Sequence, residues 1–297
     1  MGHPGCVKKL IVNADDFGFT PGVNAGIVEA FRSGIVTSTT IMANGEAFDE
    51  AAELAFRNPG MAVGCHLSLV GGRPVAPLSR VPSLADSQSR MPATVSQFTA
   101  RLLQGRIRTA DIEWEFRAQL EHVLAAGIQP THLDTHKHVH AHPRVMEALC
   151  RVAAAMGIRK VRYPFERVRW LQGAGLERWR SCGVYLKQCA VVAGLSLRAG
   201  RFRKVARSEG LRMPDHFCGM ALTGLLDAST LDAVLSSLQP GVTELACHPG
   251  VWDEDLQRAP TRLKRERQRE LEALAGPAAR RRVAEEGIML ISYRELN

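Results

Sequence analysis

Four short runs of this 297-residue chain carry side chains that can bind a metal ion and move protons. They are Asn13-Ala14-Asp15-Asp16-Phe17-Gly18, Gly64-Cys65-His66-Leu67, the histidine-rich stretch Thr131 to His140, and Cys247-His248-Pro249-Gly250. Carboxylate oxygens with imidazoles form an N/O donor set suited to zinc or a similar divalent ion, with positions left for water. Asp15 and Asp16 are adjacent, so at a strand end they point in different directions. One can bind the ion while the other serves as general base. His136, His138 and His140 alternate and share a face if that segment is extended. Asp134 is placed to orient His136 or another histidine through a hydrogen bond. Taken singly, each run has a plainer explanation: a turn or helix cap for Asp15-Asp16, packed histidines elsewhere. It is their shared context that argues for one metal site.

That context is the C-terminal end of a strand. Leu10 to Val12, Ile35 to Ala43, Met61 to Leu69, Thr131 to Thr135, Lys160 to Tyr163, Thr243 to Cys247 and Ile288 to Ser292 have the β-branched, apolar character of strands. Helical patterns separate them over Pro21–Arg32, Ala47–Phe56, Ala110–Ala126, Pro143–Met156, Leu231–Leu238 and Pro260–Leu274. Thr20 is a natural N-cap for the first, with Pro21 at N1. A Pro/Gly/Ser-rich stretch, Val70 to Pro92, is a long loop of the kind that carries function. Alternating β and α elements imply a mainly parallel α/β sheet with right-handed crossovers. The element count suits a (β/α) barrel with fewer than eight regular strands, and a doubly wound open sheet is the alternative. In a barrel the strand ends converge on one face, where active sites are built.

Composition sets outer bounds. At 45% hydrophobic and 23% charged, the chain suits one globular domain over 1–297 and excludes a disordered or collagen-like chain. The net charge of +8 is uneven: ten of the 38 cations, and only one of the 30 acids, lie between Arg167 and Arg207. This cationic segment also holds Trp170, Trp179, Leu186 and Leu197, and reads as an insertion at about 165–210 that could meet a membrane surface. Nucleic acid is not expected as a partner, because no zinc finger, P-loop or basic recognition helix is present. The mixed charges from Arg262 to Glu272 read as a solvated helix face, and Arg280 to Arg282 as the same. The seven cysteines are irregularly spaced, without a C-x-x-C, as in a reduced cytoplasmic protein. No export signal or membrane span is expected, and an oligomer is left open.

The runs Leu10–Gly18, Gly34–Thr40, Gly64–Leu67, Thr131–His140 and Cys247–Pro249 together resemble the YdjC-like carbohydrate deacetylases, nearly end to end. Gly64 to Pro74 and Asp215-His216-Phe217 are most similar to the hopanoid-biosynthesis-associated branch. The resemblance implies a (β/α) barrel of the glycoside hydrolase/deacetylase type that removes acetyl from an N-acetylated sugar. The substrate it implies is an N-acetylglucosaminyl hopanoid lipid, with a chitooligosaccharide as the alternative. By position, Asp16, His66 and His136 match the family's ligands for one divalent ion, zinc or magnesium. Asp15 matches the base and His248 the acid. Asp134, His138 and His140 are left as supporting or substrate-binding residues. Lys137 departs from chitooligosaccharide deacetylases, which commonly have histidine there. A metal-dependent phosphoesterase and a non-catalytic sugar- or lipid-binding barrel are the rival readings. Against the first, no arginine clamp appears in the four motifs; against the second, both Asp15 and His248 are present.

Overall fold

The computed structural model describes residues 7–166 and 183–297. Its sheet is organised around β1 (Lys8–Phe17), which lies parallel to β2 (Ser38–Ile41) on one side and β6 (Gly241–Cys247) on the other. Beyond β2 come β3 (Ala62–Leu67) and β4 (Leu133–Thr135); beyond β6 comes β5 (His216–Cys218). The order is β4-β3-β2-β1-β6-β5, all parallel, and β7 (Met289–Leu290) pairs with Lys9 and Leu10 at the start of β1. Two single bridges, Leu133 with Val161 and Lys160 with Arg212, carry the sheet from β4 round toward the run that leads into β5. The sheet is therefore curled, a reduced (β/α) barrel with six strands along its path. The expected strand at 160–163 consists only of these bridges, and the last strand keeps two residues. β1 runs five residues further than its apolar stretch suggests.

Helices follow the strands as the crossovers require. α1 (Pro21–Ser33) begins as its sequence dictates, with the Thr20 hydroxyl accepting the Val23 amide at 3.3 Å. α2 (Phe48–Arg57), α3 (Val95–Leu103), α4 (Thr109–Ala125) and α5 (Pro143–Ala155) complete the first half. α6 (Gly183–Ser196) and α7 (Ala199–Ser208) belong to the cationic segment, of which residues 167–182 lie outside the described residues. α8 (Ala228–Ser236), α9 (Glu254–Arg258), α10 (Arg265–Ala275) and α11 (Pro277–Glu285) close the second half. α3, α9, α11 and β5 are not among the elements expected above, although the three helices start on ordinary signals, Thr94 and Asp253 as side-chain caps and Pro277 in the first turn. Arg280 and Arg282 are not purely solvated: Arg280 Nε donates to the Gly34 carbonyl at 3.1 Å, and Arg282 pairs with Asp232. Among the described residues no helix is long and apolar enough to cross a membrane.

The core is apolar and continuous around the sheet, and the last eight residues of β1 are all buried. One close approach matters for the site. A Cβ on Gly26 of α1 would come within 2.5 Å of Gly250 Cα, so glycine at both positions lets α1 press on the loop that carries His248. Glu166 is a buried acid set apart from the site, its Oε2 accepting the Ala221 amide at 2.9 Å. Burial pushes its carboxyl up to about 7, against the pull of the amides of Ala221, Gly219 and Met220. A carboxyl raised in the folded state stabilises below its unfolded value and loses that stability as pH rises through the folded one. Glu166→Gln is therefore expected to gain on wild type in melting experiments between about pH 5 and 8, by an amount of order 3 kcal/mol at most. An unchanged gap across that range would contradict it.

Candidate metal centre and its supports

A bulge builds the centre. The register between β1 and β2 shifts between Ala14 and Phe17, and Asp16 adopts φ 70°. Left-handed backbone is costly for a residue with a Cβ, by about 1–3 kcal/mol, and here it turns two adjacent carboxylates into one centre. Asp16 Oδ1 lies 3.0 Å from His136 Nδ1 and 3.4 Å from His66 Nε2. One ligand atom each from Asp16, His66 and His136 falls within 4.8 Å of the others.

His66 comes from the end of β3, paired in register with Asp134 of β4. Its Nδ1 sits 2.7 Å from Asp134 Oδ1. A carboxylate there accepts, so Nδ1 carries the proton and Nε2 faces Asp16. Asp134 thus orients His66 rather than His136. His136 opens a 3-10 turn, His136–Ala141, in which Lys137 and His138 have φ 56° and 52°. That turn breaks the alternation expected of the three histidines. His138 packs against Phe217 with ring centroids 5.5 Å apart, and His140 Nδ1 meets Thr135 Oγ1 at 2.6 Å. Neither joins His136 at the ligand cluster. Lys137 is exposed and is not in the ligand cluster.

Asp15 faces the other way. Arg162 holds it with two hydrogen bonds of 2.7 Å, Nη1 to Oδ2 and Nη2 to Oδ1. Its Nε donates to Glu244 Oε1 at 2.8 Å, and the same guanidinium forms ion pairs with Asp134 Oδ2 at 2.6 Å and, through Nη2, with Glu244 Oε1 at 2.8 Å. Asp15, His66 and Asp134 also lie close enough to be considered as a ligand set. In that set both carboxylates pair with Arg162, whereas in the set of Asp16, His66 and His136 the carboxylate turns Oδ1 to the two imidazoles and gives only Oδ2 to Arg267. His248 Nε2 stands 3.9 Å from Asp15 Oδ2.

α10 reaches into this centre, against the expectation of a solvated face. Arg267 and Glu270, one turn apart, are buried at 2% and 1% exposure. Arg267 Nη2 donates to Asp16 Oδ2 at 2.5 Å, and Glu270 Oε2 accepts the His248 amide at 2.6 Å. Two arginines therefore stand at the site although the four motifs contain none. Arg162 is committed to carboxylates of the protein, whereas Arg267 gives Nη2 to Asp16 and keeps its buried Nε and Nη1 without a hydrogen-bond partner among the described residues.

The electrostatics fit a cation. Asp15, Asp16, Asp134, Glu244 and Glu270 are buried around Arg162 and Arg267, a formal excess of three negative charges. Burial raises Glu244 and Glu270 to about 7, which sheds part of it. Burial opposes ionisation of Asp16 too, yet Arg267 and His136 hold its carboxyl well below the usual range. Burial disfavours a charged His66, but Asp134, Asp16 and Asp15 outweigh it and push the ring up to about 10. A site that draws a proton onto an imidazole this strongly suits a divalent cation in that place. At His248 burial wins over Asp15 and Asp16 and brings the ring down to about 4, so it is neutral at pH 7.

The model of the YdjC-like protein family matches residues 9–285. A carbohydrate deacetylase of Brevibacillus brevis is 35% identical over 288 residues, covering 97% of this chain and 99% of that one. A chitooligosaccharide deacetylase of Klebsiella pneumoniae is 33% identical over 290 residues, covering 97% and 99%. The crystal structure of an Enterococcus faecalis protein named for cellobiose-phosphate cleavage superposes with a TM-score of 0.78 at 27% identity, covering 98% of this chain and 99% of that one.

Proposed function

The chain belongs to the YdjC-like protein family, and from that membership and the geometry of its centre we propose a carbohydrate N-deacetylase that uses one divalent ion, zinc or magnesium. The observation that carries this reading is the cluster of Asp16, His66 and His136 beside Asp15 and His248 at the C-terminal strand ends. In this reading Asp16, His66 and His136 hold the ion, and Asp134 fixes the His66 ring. The ion would supply Lewis-acid polarisation of the acetyl carbonyl and make water easier to deprotonate. Asp15 takes the proton of the attacking water, held to its task by Arg162. His248 passes a proton to the departing nitrogen, so that amide and water become amine and acetate. Because His248 is neutral at rest, the proton it gives is one it first receives during the reaction.

For the sugar, the relatives named chitooligosaccharide deacetylase favour a short N-acetylglucosamine oligomer. The hopanoid-lipid alternative rests on Gly64–Pro74 and Asp215–Phe217 alone. Contact with anionic lipid through the cationic segment goes with that alternative. Its described part exposes Val184, Leu186, Val191 and Leu197 beside Arg198 and Lys204.

The test is free acetate from diacetylchitobiose and from an N-acetylglucosaminyl hopanoid. Release from diacetylchitobiose is expected, lost on treatment with a chelator and restored by zinc or magnesium. Asp16→Ala, His66→Ala and His136→Ala should each lower bound metal in elemental analysis. Acetate from neither substrate, or full metal occupancy in all three variants, would refute the reading.

A further inference from the structure

The support of Asp15 does not end at Arg162. Glu244 Oε1 takes Arg162, and its other oxygen, Oε2, accepts the Tyr293 hydroxyl at 2.6 Å. The Tyr293 ring stacks on His132 with centroids 3.5 Å apart and planes 7° apart. His132 Nε2 meets Asn13 Oδ1 at 3.1 Å, and Asn13 Nδ2 donates to Asp15 Oδ1 at 2.9 Å. The path from Asp15 through Arg162, Glu244, Tyr293, His132 and Asn13 returns to Asp15. Every member is buried.

Tyr293 comes from the last turn of the chain, Tyr293–Glu295, beyond β7. That turn is tied down by its own contacts. The Tyr293 amide donates to Ser38 Oγ at 3.1 Å, and Lys160 Nζ donates to the Tyr293 carbonyl at 2.7 Å. A phenylalanine would fill the same space and stack on His132 in the same way. What a phenylalanine would not supply is the hydroxyl's bond to Glu244, whose Oε2 would be left buried without that donor. Packing therefore accounts for the ring and leaves the hydroxyl without a purpose, unless the purpose is Glu244.

We propose that Tyr293 is a positioning residue for the base: its hydroxyl fixes Glu244, Glu244 fixes the Arg162 guanidinium, and Arg162 fixes Asp15. This rests on the deacetylase reading above. The ligand cluster lies outside the ring, so the proposal separates turnover from metal binding.

The experiment compares wild type, Tyr293→Phe, Glu244→Gln, the double variant and Leu296→Ala, each loaded with metal, on diacetylchitobiose. Loss of the one hydrogen bond from the Tyr293 hydroxyl to Glu244 should lower kcat about three- to tenfold, with KM and metal content within twofold of wild type. Because both residues act through one chain, the double variant should lose no more than the worse single variant. Leu296 packs in the same small apolar cluster as Ile11, Ile291 and Tyr293 and is not one of the polar groups of the ring. Leu296→Ala should therefore lower Tm while kcat stays within twofold. Wild-type kcat in Tyr293→Phe, multiplying losses in the double variant, or an equal loss in Leu296→Ala would overturn the proposal by itself. No acetate from wild type on any N-acetylated sugar would overturn the deacetylase reading and this proposal with it.

Discussion

Asp15→Asn is expected to lower kcat by about 10²–10⁴-fold, the usual contribution of a general base, while elemental analysis still finds about one metal ion per chain. The separation follows from geometry. Asp16 is the carboxylate that lies within 3.4 Å of both His66 and His136, and the bulge that turns Asp16 into the centre is a backbone feature that survives a side-chain amide at position 15. Asparagine has nearly the same shape and keeps one acceptor for Arg162. What it loses is the charge and the capacity to take a proton. Arg162 would retain Asp134 and Glu244 as partners, so the fold should hold, with a modest fall in Tm. His248→Ala should also keep the metal and lose turnover, since His248 Nε2 is close to Asp15 and its own backbone is anchored by Glu270. A loss under about tenfold in Asp15→Asn would remove it from the role of base. Loss of metal in the same variant would move it among the ligands instead.

The sequence exposes the chemistry better than the scaffolding. Strand ends with Asp15-Asp16, His66, His136 and His248 are legible because each follows an apolar run, and the structure brings all five residues together. β1 looks short because Asn13, Asp15 and Asp16 interrupt its apolar pattern; they are buried in the site, where polarity is satisfied by partners and not by water. The three alternating histidines mislead because Lys137 and His138 take left-handed backbone, which no spacing rule anticipates for those residue types. Arg162 is hidden inside a run whose β character drew attention to its neighbours. A signal for Arg267 and Glu270 did exist. Leu263, Leu271 and Leu274 mark one stripe of α10 and the residues before it, and at 3.6 residues per turn that stripe passes through 267 and 270. Charged residues on an apolar stripe are buried charges in need of partners, a stronger clue than mixed signs at i,i+4.

Arg162→Met is expected to have the largest effect on stability of any single change at the site. Asp15, Asp134 and Glu244 are fully buried around this one cation. Removing one partner of a buried ion pair costs about 3–5 kcal/mol, because the other is left uncompensated. Here three carboxylates lose their counter-charge at once, so the variant should unfold well below wild type in a melting experiment or fail to accumulate as folded protein. Arg162→Lys separates charge from geometry. An ammonium restores the cation but gathers its donors on one atom where the guanidinium presents a planar fork, and cannot grip both Asp15 oxygens while reaching Asp134 and Glu244. It should recover most of the lost stability and remain at least about 10²-fold down in kcat, the scale on which a catalytic group displaced by about 1 Å loses rate. Near-wild-type turnover in Arg162→Lys would mean that the centre needs only a buried positive charge. Wild-type stability in Arg162→Met would mean that the three carboxylates shed their charge at little cost, and that the ion pairs around Arg162 are not what holds this end of the barrel together.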